Sequence, residues 1–131
     1  MNKTIYERIY IKLNQIIDFD KLFRKKYLKY RSAGLMDLNI DFLRCEDNDV
    51  YIISMAHNFK QNGDLMCDPD MEIKIFIRSK MAEALTFQQD NFGIYQKVYD
   101  DGKVNLTLKK DLNRFLDKWL TNIRSQRYSL S

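Results

Sequence analysis

Proline occurs once in 131 residues, glycine four times, cysteine twice and histidine once. So little proline and glycine excludes a collagenous, linker-like or low-complexity chain. Cys45 and Cys67 have no CxxC spacing, and His57 is the only histidine, so neither a disulfide scaffold nor a Cys/His zinc site is supported. The longest apolar run, residues 50–56, contains Ser54 and falls far short of the ~20 residues a membrane-spanning helix needs. The N-terminus is amphipathic and lacks the continuous apolar stretch and cleavage site of a signal peptide. The expectation is therefore a protein of a reducing cytoplasm with no membrane partner. A Gly-rich phosphate loop, a G-x-S-x-G elbow and an H-E-x-x-H pair are also missing, so no enzyme signature is present.

What is there is a core. Hydrophobic residues make up 45% of the chain and aromatic residues 13%, which suffices for one globular domain over residues 1–131 and argues against disorder. Lys and Arg total 22 against 18 Asp and Glu, a mild net charge of +4. Its distribution says more than its sum. Residues 21–31 carry six cations and no acid, residues 37–72 carry nine acids against Arg44 and Lys60, and the C-terminal segment is basic again. Such polarity fits charged partners.

Periodicity divides the chain in three. Tyr6, Ile9, Leu13, Ile16 and Ile17 recur at helical spacing over residues 3–17. A second helix is expected after Asp18-Phe19-Asp20, with Phe19, Leu22, Phe23, Tyr27 and Tyr30 on one face and a stop at Ser32-Ala33-Gly34, placing the helical part at about 1–32. Over about 37–100 the period falls to two. Leu38, Ile40 and Phe42 alternate with Asn39 and Asp41, residues 46–49 form a turn, and 50–57 return as a strand. Asn62-Gly63 marks another turn; Met71, Ile73, Ile75 and Ile77 mark a third strand, and two more are expected near 83–88 and 93–99. Leu112, Phe115, Leu116, Trp119, Leu120 and Ile123 then form the apolar stripe of a C-terminal helix at about 108–126. Connections this short exclude helical crossovers. The expected fold is α+β: an antiparallel meander of about five strands with two N-terminal helices and one C-terminal helix packed on one face.

Two groups of residues are candidates for function. Residues 57–72 concentrate polar side chains, among them His57, Gln61, Asn62, Asp64, Asp68 and Asp70. Asp64 and Asp68 are placed in a loop, and Asp70 shares a strand face with Glu72. A hard cation bound by these oxygens is one reading, but the spacing fits no calcium loop, and Asp and Asn equally cap turns. No metal and no cofactor is expected. His57 has Asp64 and Asp68 as orienting partners but no evident nucleophile, so a hydrogen-bonded corner competes with a general base. The second group is basic: Lys21, Arg24, Lys25, Lys29 and Arg31 on the expected second helix, interleaved with Tyr27 and Tyr30. It reads either as a solvated helix face or as a track for a phosphate backbone with stacked bases.

Several stretches carry a resemblance: Ser54-Met55-Ala56-His57, Gln61-Asn62-Gly63-Asp64-Leu65-Met66-Cys67-Asp68-Pro69-Asp70-Met71, Phe87-Gln88-Gln89-Asp90, Gly93-Ile94-Tyr95-Gln96-Lys97-Val98-Tyr99, and Asp111-Leu112-Asn113-Arg114-Phe115-Leu116 with Trp119-Leu120. Over about residues 33–126 the chain resembles an uncharacterised bacterial domain family of plasmids, integrative elements and phages. That resemblance implies an accessory protein of mobile DNA and no particular activity. Its polar signature falls on His57, Gln61, Asn62, Asp64, Asp68 and Gln88. The function expected is non-enzymatic binding of a host protein or ribonucleoprotein through charged surfaces, possible inhibition of a defence system included. Nucleic-acid binding by the basic segment together with the basic C-terminal helix is the alternative, and a metal-dependent hydrolase is a lesser one. An oligomer built through an exposed sheet edge stays open.

Overall fold

Thr4 opens the first helix, α1 (Ile5–Ile16), with a reciprocal capping box: its hydroxyl accepts from Glu7 N, and Glu7 Oε1 accepts from Thr4 N at 3.0 Å. Asp18 caps α2 (Phe19–Lys25) by accepting from Lys21 N, without a reciprocal bond. Asn105 caps the long C-terminal helix α3 (Leu106–Ser125). The computed structural model describes residues 2–131.

Among the described residues there are ten strands, nine between α2 and α3 and the last after α3: β1 (Tyr27–Arg31), β2 (Asp37–Asp47), β3 (Val50–Gln61), β4 (Asp64–Phe76), β5 (Met81–Ala84), β6 (Thr86–Gln89), β7 (Ile94–Lys97), β8 (Tyr99–Asp100), β9 (Lys103–Val104) and β10 (Ser129–Leu130). Eight form one antiparallel sheet in the order β10-β1-β2-β3-β4-β6-β7, with β5 also on β4; β8 and β9 pair separately. The α+β class and the antiparallel meander stand. The count of about five strands is corrected to eight in the main sheet: β1 and β10 are added, and the segment near 83–88 is two strands broken at Leu85.

The second helix is also corrected, since it ends at Lys25 and not near residue 32. Lys26 turns to a left-handed φ of 70° and the chain leaves as β1. Residues 27–31 satisfy two periods at once. Tyr27 and Tyr30 fit a helix face, but Leu28 and Tyr30 also alternate, and both are buried with β2 opposite them. Pairing with β2 on one side and β10 on the other satisfies the backbone groups of this segment while Leu28 and Tyr30 enter the core. The Ser32-Ala33-Gly34 stop is accordingly a turn between strands, with Leu35 N bonded to Ser32 O.

Inner and outer sheet faces follow from the register. Leu28, Ile40, Met55 and Met71 stand opposite one another across four strands, as do Ile53, Ile73 and Ala84. All are buried in one core with Ile9 and Leu13 of α1, Leu22 of α2, and Leu116 and Leu120 of α3. Each buried Leu or Ile contributes about 1.5–3 kcal/mol, so this face holds the layers together. The other face carries no helix.

Candidate functional site

The uncovered face is built by the alternate residues of the same strands. Asn39, Ala56, Asp70 and Gln88 are opposed across β2, β3, β4 and β6. Tyr27, Asp41, Ser54 and Glu72 form the neighbouring row. Of these, Tyr27, Asn39, Asp41, Ser54, Ala56 and Asp70 line a groove of about 840 Å³ whose rim includes Lys29, Leu35, Phe59, Lys60 and Leu65; Gln88 and Glu72 lie outside it.

Its floor is held by a directional chain of hydrogen bonds. Tyr27 OH donates to Asn39 Oδ1 at 2.5 Å, Asn39 Nδ2 donates to Asn58 Oδ1 at 2.6 Å, and Asn58 Nδ2 donates to Met66 O at 3.3 Å. Four strands are thereby cross-linked on the open side, which fixes the groove's shape.

The carboxylates divide into two kinds. Asp37 pairs with Lys29 and Arg31, each at 3.8 Å; Glu72 pairs with Arg44 at 3.9 Å; and Glu46 pairs with Lys74 at 3.0 Å. Asp90 accepts from Gln88 Nε2 and from Cys67 N, and these bonds hold its carboxyl below the usual range. Asp41 and Asp70 are different. Both are half-buried, and among the described residues neither has an ion pair or a side-chain hydrogen bond. Burial raises the Asp41 carboxyl. Burial, reinforced by Glu72, Asp41 and Asp90, pushes Asp70 up to about 6. At neutral pH the groove thus holds two partly desolvated negative charges that the protein itself does not neutralise, an arrangement suited to receiving cations.

The polar candidates of residues 57–72 do not converge. His57 is 8% exposed and points to the helix side, edge-on to Trp119 and stacked on Tyr128. The Tyr128 hydroxyl donates to Met36 O, so it accepts from His57 Nε2 at 3.3 Å, which assigns that nitrogen the proton. Burial lowers the His57 pKa, and Asp68 opposes the shift. Asp64 and Asp68 are strand residues of β4, not loop residues; Asp68 accepts from Gln89 Nε2 at 2.6 Å. A register irregularity between Ala56 and Asn58 separates them from Asp70. Gln61, Asn62 and Asp64 are exposed at the tip of the β3–β4 hairpin. Only Asp70 faces the groove directly; Gln88 stands opposite it and spends its amide on Asp90. Cys67 is buried and its thiol is pushed to about 12, leaving it protonated at neutral pH.

The basic candidates are divided as well. Lys21, Arg24 and Lys25 lie on α2, whereas Lys29 and Arg31 belong to β1 and share Asp37. Residues missed as a site are Asn39, Asp41 and Ser54; Tyr27 and Asn58 fall within the two candidate segments but were not assigned to one groove. Their signal was the polar half of each strand's alternation, which reads the same for a groove as for a solvated face. Among the described residues no group of three or more His, Cys, Asp or Glu side chains is arranged to hold a metal ion, and no helix is long and apolar enough to cross a membrane.

The profile of a family described as Domain of unknown function (DUF6908) matches residues 5–129, and the chain belongs to that family. The match takes in α1 and α2 as well as the sheet and α3. No curated protein and no solved structure matches the chain.

Proposed function

We propose that this member of the family is a non-enzymatic accessory protein of a mobile element, which binds a host protein or ribonucleoprotein by taking a basic segment of it onto the open sheet face. The mobile-element setting rests on the resemblance carried by residues 61–71 and 93–99. One observation carries the binding surface: Asp41 and Asp70 face the same groove half-buried, while the neighbouring sheet acids Asp37, Glu46 and Glu72 already have cationic partners. An arginine or lysine placed between them would gain charge-assisted hydrogen bonds and offset the burial and the repulsion from Glu72 and Asp41 that raise Asp70. Tyr27, Asn39 and Asn58, already cross-linked, pre-order the floor and reduce the entropy lost on binding.

The test uses a ten-residue peptide alternating arginine and serine, titrated calorimetrically at pH 7.5. Binding is expected, weakened at least tenfold in Asp41→Asn/Asp70→Asn and changed less than twofold in Asp64→Asn/Asp68→Asn. Equal affinity of the groove variant and the wild type removes this surface. Affinity capture from nuclease-treated host lysate, with the groove variant as control, then identifies the partner.

A further inference from the structure

The charge polarity of the chain is resolved by the fold into two faces. Residues 37–76, which build β2, β3 and β4, hold nine acids and three cations; residues 3–25 and 105–126, which build the helices, hold eleven cations and five acids. On the helix side, α1 and α3 run in the same direction. Lys12 Nζ meets Asp117 Oδ1 at 2.5 Å, and Arg124 donates to Gln15 further along both helices. Their first turns enclose a groove of about 480 Å³ lined by Ile5, Tyr6 and Arg8 from α1 and by Leu106, Lys110 and Arg114, among others, from α3.

Three features of this groove are unfavourable for the folded protein alone. Lys110 and Arg114 in its lining, and Lys118 one turn beyond it, repeat every four residues along α3, where like charges repel, and among the described residues none makes an ion pair. The first turn of α3 carries no acid, so nothing offsets these cations at the end of the helix where negative charge is preferred. Leu106 stands 71% exposed beside the half-buried ring of Tyr6. The nearby acids are already engaged: Glu7 closes the α1 cap, Glu83 holds Lys109 at 3.3 Å, and Asp117 holds Lys12 and Arg8. Asp111 is exposed on α3 but lies outside the groove lining.

We infer that the α1–α3 groove binds a single-stranded polynucleotide, with Arg8, Lys110 and Arg114 pairing its phosphates while Tyr6 and Leu106 receive the faces of unstacked bases. Cations and exposed apolar surface side by side select this occupant. A duplex turns its bases inward and leaves Tyr6 and Leu106 without contacts, and an acidic polypeptide such as polyglutamate matches the cations alone. The site is independent of the sheet groove, on the opposite side of the molecule.

Fluorescence anisotropy with labelled twelve-nucleotide oligo(U) and oligo(dT) tests it on the full chain. Saturable binding is expected at 50 mM salt, with log affinity falling against log salt at a slope of about −2, as three phosphate contacts require. Lys110→Gln/Arg114→Gln weakens binding at least tenfold, while Arg24→Gln/Lys25→Gln on α2 changes it less than threefold. If the α3 pair melts early, Arg8→Gln serves in its place with a smaller expected loss. Absence of saturable binding overturns the inference. So does an equal loss in both double variants, which would mean diffuse charge, or displacement by polyglutamate as effective as by unlabelled oligonucleotide.

Discussion

Asn113, in the middle of α3 and 1% exposed, accepts a hydrogen bond from the backbone N–H of Ala84 in β5 at 2.8 Å. Its Nδ2 donates to Lys109 O at 2.8 Å. One buried amide thus joins the helix layer to the sheet and satisfies a strand donor facing the core. Asn113→Leu leaves the Ala84 N–H without a partner at about the cost of a buried unsatisfied group, 1–3 kcal/mol. Urea denaturation at pH 7 should show that loss, with an unchanged slope if only the native contact is affected.

Asp70 makes stability depend on pH in an unusual direction for a carboxylate. Its folded pKa of about 6 lies above the unfolded value, so the folded state binds the proton more tightly between roughly pH 4 and 6. Its contribution to stability is present below that window and is lost as pH rises through about 6. Asp70→Asn should therefore stabilise the protein at pH 7.5 by about 1 kcal/mol, after allowance for solvent screening of a half-exposed group, and by almost nothing at pH 4. Paired urea titrations at the two pH values read this directly.

His57 gives the opposite sign. Burial lowers its folded pKa, so acidification below the ordinary histidine value protonates the unfolded chain first and removes stability. Since it is the only histidine, its imidazole resonances can be followed without assignment. The NMR midpoint should lie below 6.5, and Asp68→Asn should lower it further by removing the one negative charge that favours the imidazolium. A rise in the Asp68 variant would contradict the geometry.

The two thiols should separate kinetically. Cys45 is exposed, whereas Cys67 is buried and its thiol is pushed to about 12 by burial and by Asp90. Ellman's reagent at pH 8 should titrate one thiol quickly in the native protein and the second only on unfolding.

Signals that act over a few neighbouring residues were readable in the chain itself. The stripes of α1 and α3, the alternation of β2, and the Asn62-Gly63 turn each depend on local geometry, and each appears where expected. Residues 27–31 were not, because five residues are too few to separate a period of two from one of 3.6, and the arbiter is pairing with β2 and with β10 at the far end of the chain. The 57–72 segment was legible as polar but not as divided. Alternation sends His57 to the helices with Met55 and Asp70 to the groove opposite Ala56, and one irregularity between Ala56 and Asn58 then separates Asp64 and Asp68 from Asp70. Alternation by itself determined that Asp41 and Asp70 point away from the core. That they share one uncovered groove, and that the helices' cations collect on the opposite side, was decided only when β3 joined β2 to β4 and all the helices packed on the same face.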